Sequence, residues 1–191
     1  KNWQPNFGQR GKKRQKYLMI ITNIYILGAS YPIAGKKPSA LQVISEKTKV
    51  LDWQLNSFKT IKKRQINFLG GYQINDIEKH YPEINHIHVK NWKSNSILDT
   101  FFQCPLIESP SIFMYADTIF RQEAFKKIIG TKSDISIGID INYKNRYHNR
   151  SKADINKAEV IIPSQGKFLG IGSEFTGLIY VKPNIVKIIR E

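Results

Sequence analysis

Three stretches of this sequence place side chains suited to phosphate chemistry where a protein chain would expose them. Asp117 directly follows a strongly apolar run, as Met114-Tyr115-Ala116-Asp117. A carboxylate at the carboxyl end of a central strand faces the ligand crevice of an open α/β sheet. Unpaired there it is costly, so a cation or hydrogen-bond donors must accompany it. Magnesium bridging the carboxylate to substrate phosphates is the economical partner; the alternative role is a cap for the helical segment that follows. Asp140 ends the apolar run ISIGI, and Asn142, Tyr143, Lys144, Asn145, Arg146 and Tyr147 come after it. That mixture of aromatics and cations suits an anionic group, or else forms a solvated loop. The third stretch is LGASYPIAGKKPSAL. Small residues after a first strand let backbone N–H groups approach a phosphate, and Lys36 and Lys37 add charge. An ordinary turn is the competing reading, since the stretch fits neither a Walker loop nor a dinucleotide fingerprint.

Other chemistries lack residues. There is no GxSxG elbow, no HExxH and no cysteine–histidine signature. The single cysteine, Cys104, excludes an intrachain disulfide framework and a cysteine-based zinc site, and points to a reducing, cytoplasmic setting. His86 and His88 share one strand face, which is the sole metal-like histidine spacing; a surface strand is the simpler account.

The elements that must position these residues follow from hydrophobic period. MIITNIYILG, from Met19, is nearly continuously apolar, as a parallel strand covered on both faces must be. Leu51, Leu55 and Phe58 lie on one face of an amphipathic helix. QINFLGGYQ is a strand ending at Gly70-Gly71. Asn75 is placed to cap a short helix before Pro82. INHIHVKNW is a strand, and Asn95 and Ser96 can cap a helix from about Ile97. SIFMY is a buried strand, RQEAFKKIIG a helix closed by Gly130, and DISIGIDINY and KAEVIIP are strands. GKFLGIG and EFTGLIYVK form a sheet pair. This β-α alternation predicts a doubly wound, mostly parallel α/β sheet with helices on both faces. Residues 1–18 have no period and are expected to be a disordered basic leader before one domain over 19–191.

The chain of 191 residues carries a formal charge of +15. Such a charge invites a nucleic-acid partner. Isoleucine and asparagine are in excess alongside lysine, however, which favours a drift towards AT-rich codons, and nucleic acid is not the expected partner. No apolar run approaches the roughly 18 residues that span a bilayer, so no membrane partner is expected.

In this order the stretches resemble the sugar-phosphate nucleotidyltransferase family, which includes the sugar-nucleotide pyrophosphorylases and the phosphocholine and phosphonate cytidylyltransferases. ILGAS followed by KPSAL is similar to its opening strand, loop and proline element. VLDWQLNSF with INFLGGY, VKNWKSNSILDTF, MYADTIF, DINYKNRYHNR and EFTGLIYV are similar to later parts. The resemblance implies an enzyme of Rossmann-like fold that uses Mg2+. A sugar phosphate or small phospho-alcohol or phosphonate attacks the α-phosphorus of a nucleoside triphosphate and pyrophosphate leaves; the products are precursors for surface polysaccharide or lipid. It further implies that Asp117 holds the metal, that Gly28, Ala29 and Ser30 line the triphosphate loop, that Gly70 and Gly71 border the nucleotide, and that Asn91 and Asn95 contact base or sugar. Asp140 or Glu174 would be the second metal carboxylate. Ser39 stands where the family has a lysine beside its proline, and the loop lacks the family's arginine; Lys36 or Lys37 would supply that charge. These departures motivate a rival, a non-catalytic homologue that binds a nucleotide or a protein. The basic leader motivates a second rival, a nucleic-acid binder.

Overall fold

The computed structural model describes residues 21–31, 37–94, 96–105, 107–156, 158–161 and 173–190. The proposed leader, Lys36, Asn95 and the segment GKFLGIG lie outside them. The described residues build a seven-stranded sheet whose main path runs β5-β4-β1-β6-β9-β7, with β8 pairing β9. The strands are β1 (Thr22–Gly28), β4 (Arg64–Gly70), β5 (Asn85–His88), β6 (Ser111–Tyr115), β7 (Ile135–Asp140), β8 (Val160–Ile161) and β9 (Ser173–Val181). β2 (Val43–Ser45) and β3 (Thr48–Lys49) form a separate hairpin. β1 pairs in parallel with β4 and β6, and β4 with β5. β9 pairs antiparallel with β6, β7 and β8, so it runs against all the others.

The apolar run of β1 is continuous because successive residues enter two different cores. Ile24 and Ile26 join Leu51 and Phe58 of the α1 region, Ile77 of α2 and Phe125 and Ile128 of α4 on one face. Tyr25 and Leu27 join Phe101, Cys104 and Val186 on the other, under α3 and α7. The helices are α1 (Val50–Ser57), α2 (Ile74–His80), α3 (Ile97–Phe102), α4 (Gln122–Ile129), α5 (Tyr143–Arg146), α6 (Lys152–Asn156) and α7 (Pro183–Arg190). Helices thus cover both faces, as the doubly wound expectation required.

Several local expectations change. Ser96 caps α3, accepting from the Asp99 N–H at 3.2 Å. Asn75 does not cap α2; the cap position is Gln73, at φ 50°. Asp117 is no helix cap either, because α4 starts only at Gln122, after Arg121. The stretch after Asp140 holds a helical turn, α5, and α7 and the β2–β3 hairpin are elements the periodicity did not predict.

Candidate active site

The chain leaves β1 through α1 towards β4 and leaves β6 through α4 towards the opposite edge. Two adjacent parallel strands whose connections diverge open a crevice at their carboxyl ends. The crevice is present between β1 and β6, with a volume of about 200 Å³. Gly28 and Ser30 line one wall with Pro38, Ser39 and Ala40, and Tyr115, Ala116 and Asp117 line the other, with Glu159 at the rim. Four sequence-predicted residues, Gly28, Ser30, Ser39 and Asp117, therefore converge. Gly28 also has a packing reason to be glycine: a Cβ there would lie 2.5 Å from Phe68 Cζ and 2.9 Å from Ala116 Cβ.

The turn that carries Asp117 is fixed from beneath. Gln54 is fully buried on the apolar face of α1, and its side-chain amide donates to the Tyr115 carbonyl at 3.0 Å and the Thr118 carbonyl at 2.7 Å. Ser57 Oγ and Trp53 Nε1 donate to the Phe120 carbonyl at 2.8 and 3.0 Å. These bonds hold the backbone and leave the acid's side chain facing out. The Asp117 carboxylate is exposed and accepts from the Thr118 hydroxyl at 3.2 Å.

A larger cleft of about 990 Å³ shares Tyr115, Asp117 and Glu159 with the crevice and runs between α4 and the β7–β9 strands. Asp140 and Glu174 face each other in register across β7 and β9. Like charges directly opposite repel, and Arg146 resolves the conflict. Its guanidinium pairs with Asp140 at 2.6 Å and with Glu174 at 2.5 Å. Asp140 also accepts from the Asn142 N–H at 2.8 Å, and the Tyr147 hydroxyl donates to Glu174 at 2.5 Å. That hydrogen bond, with burial second, raises the Tyr147 hydroxyl's pKa. Both predicted candidates for the second metal carboxylate thus share one guanidinium as an ion-pair partner.

Glu159 is different, and the sequence reading missed it. The Tyr115 hydroxyl donates to its carboxylate at 3.2 and 3.4 Å. Burial first, then the Glu159 charge and finally that of Asp117, push the Tyr115 hydroxyl well above its ordinary pKa. Asp117 and Glu159 therefore flank one phenol at the mouth shared by both cavities. Its signal in the sequence was an acid beside the apolar run VII of KAEVIIP.

The remaining predicted residues lie apart. Ala29 is buried in the second core. Gly70 ends β4 and Gly71 follows it, but neither lines the crevice; a Cβ on Gly71 would meet Trp92 Cγ at 2.2 Å. Asn91 adopts φ 53° in the turn after β5, a conformation asparagine tolerates, so the turn itself accounts for it. Lys37 is exposed and lines neither cavity. The two histidines have separate partners: His86 contacts the Tyr81 carbonyl and His88 pairs with Glu78. No group of three or more His, Cys, Asp or Glu side chains suited to a metal exists among the described residues.

A mostly parallel sheet covered on both faces, with its acid at the β1–β6 crevice, defines an α/β protein of nucleotidyltransferase-like fold. The chain is 23% identical over 168 residues to the CTP:phosphoglutamine cytidylyltransferase of Campylobacter jejuni, covering 80% of this chain and 66% of that protein. In structure it is similar to the inositol-1-phosphate CTP transferase of T. maritima, with TM-score 0.61 and 14% identity over 88% of this chain and 73% of that one. It is also similar to a chain assigned as a glucose-1-phosphate thymidylyltransferase of Bacillus anthracis, with TM-score 0.58 and 13% identity over 90% of this chain and 74% of that one. No family model matches the chain. The resemblance to the sugar-phosphate nucleotidyltransferases thus rests on a relative in sequence as well as on the fold. No helix among the described residues is long and apolar enough to cross a membrane.

Proposed function

We propose that this chain transfers a nucleoside monophosphate from a nucleoside triphosphate to a phosphorylated acceptor. An acceptor phosphate or phosphonate oxygen attacks the α-phosphorus. The bond from that phosphorus to the oxygen bridging to the β-phosphate breaks, and pyrophosphate leaves with the electron pair. The observation that carries the reading is the exposed Asp117 carboxylate, held on a backbone-clamped turn at the β1–β6 crevice.

The crevice, with Gly28, Ser30 and Ser39, takes the triphosphate, and the adjoining cleft of about 990 Å³ takes the acceptor, a sugar phosphate or small phospho-alcohol. Asp117 and Glu159 would hold Mg2+. Two exposed carboxylates, grouped with no third acid, histidine or cysteine among the described residues, fit an ion that takes its other oxygens from phosphates and water. When bound, the ion neutralises charge on the phosphates. The protein's own contribution is to orient the two substrates in line and hold the acid still. Asp140 is assigned to structure, because Arg146 occupies it. The names of the Campylobacter jejuni and T. maritima proteins favour CTP as the first nucleotide to test. A product of this kind would serve as an activated precursor for a surface polysaccharide or lipid.

Thermal shifts with each of the four nucleoside triphosphates, with and without Mg2+, test this reading. The expected result is a Mg2+-dependent rise in melting temperature for one nucleotide, lost in Asp117→Ala. No rise with any nucleotide would contradict it. A rise without pyrophosphate release on adding phosphorylated acceptors would favour a binding module without transfer, a reading motivated by Ser39 in the place of the family's lysine.

A further inference from the structure

Three aromatic rings from three different loops meet above the carboxyl ends of adjacent parallel strands. Tyr31 follows β1, Tyr72 follows β4 and Trp92 follows β5. Tyr31 and Trp92 lie parallel, with centroids 5.7 Å apart and planes 6° apart. Tyr72 tilts against both, at 5.1 and 5.8 Å. The chain is adapted locally to this arrangement. Gly71 leaves the space that Trp92 fills, where a Cβ would lie 2.2 Å from the indole Cγ. Asn91, at φ 53°, makes the turn that delivers Trp92. Trp92 packs against the second core and Tyr72 is half-buried, whereas Tyr31 is 58% exposed.

Stacked rings that stay open to water on one side offer a flat apolar face with a π-system, which matches a nucleobase. Tyr31 comes one residue after Ser30, on the loop that lines the crevice, so a nucleotide with its phosphates at Ser30 has its base within reach of the ring. We propose that Tyr31, backed by Trp92 and Tyr72, is a stacking platform for the base of the bound triphosphate. Tyr31 and Trp92 already touch one another, so the base adds to the outer face of Tyr31 rather than entering between them. Stacking of this kind accepts any base, since every base has a π-face; selection between bases then falls to polar groups elsewhere. The inference rests on the nucleotide reading above, and it adds a base-binding role for residues that reading did not use.

The test is equilibrium binding, by calorimetry with Mg2+, of CTP, UTP and base-free inorganic tripolyphosphate to wild type, Tyr31→Ala and Tyr31→Phe. A loss of about tenfold in affinity for both nucleotides in Tyr31→Ala is expected, the size of one base–aromatic stack. Tripolyphosphate should bind the alanine variant as it binds wild type, and Tyr31→Phe should bind nucleotides normally because it keeps the ring. Equal nucleotide affinity in wild type and Tyr31→Ala would overturn the platform while leaving the nucleotide reading intact. An equal loss for tripolyphosphate would also overturn it, by showing an effect on the phosphate loop. Failure of wild type to bind any of the three ligands would overturn both readings together.

Discussion

The centre and one side of the sheet's carboxyl edge treat their acids in opposite ways. At the β1–β6 crevice the protein holds the backbone around Asp117, through Gln54, Ser57 and Trp53, and leaves the carboxylate exposed. At the β7–β9 end it holds the carboxylates themselves, clamping Asp140 and Glu174 with one guanidinium and a phenol. Both arrangements answer the cost of a carboxylate at a strand end. The second answers it internally, with protein donors on both carboxylates. The first keeps a charge uncompensated on a rigid support, which is what a site awaiting a cation and a phosphate requires.

The sharpest way to break this contrast is to remove one acid from each place. Asp117→Ala should lower Mg2+-dependent transfer by about a hundredfold or more, the scale of losing one preorganised electrostatic contact at a reacting phosphate, as read by steady-state pyrophosphate release. Asp140→Asn should leave the Mg2+ concentration for half-maximal rate within about threefold of wild type; equal loss in the two variants would erase the distinction. Arg146→Ala should act on stability instead. It strands two facing carboxylates, one of them buried, but the guanidinium is half exposed, so the expected cost is about 1–2 kcal/mol in urea unfolding. Gln54→Leu keeps the volume but leaves the Tyr115 and Thr118 carbonyls without their donor, and about 1–2 kcal/mol is expected. That variant should also weaken the nucleotide's Mg2+-dependent thermal shift, because the Asp117 turn loses its anchor. Arg146→Ala should not weaken it.

The same contrast explains what could be read in the sequence. The parallel half is made of local β-α units whose apolar runs announce themselves, and Asp117 was legible because it directly ends such a run. The β7–β9 half depends on β9, a strand inserted between β6 and β7 from far along the chain and running against both. Periodicity identifies such a strand but not its neighbours. Asp140 therefore looked as free as Asp117, and only the register with Glu174 exposes the conflict that Arg146 settles. Gln54 was visible in principle, as a polar residue three positions after Leu51 on an apolar helix face. Glu159 was harder, because its neighbour β8 is two residues long and its value comes from Tyr115, forty-four positions away in the chain. Gly71 and Asn91 carried signals that the structure explains first by packing and turn geometry.

If the exposed acid at the β1–β6 crevice serves nucleotidyl transfer, its removal must stop the release of pyrophosphate. Pyrophosphate release tests this most directly, with CTP, Mg2+ and a panel of phosphorylated acceptors that includes phosphoglutamine, inositol 1-phosphate and glucose 1-phosphate. Acceptor-dependent release is expected from the wild-type chain, lost in Asp117→Ala and retained in Asp140→Asn. Release that survives in Asp117→Ala but disappears in Asp140→Asn would instead place the chemistry at the β7–β9 side of the sheet.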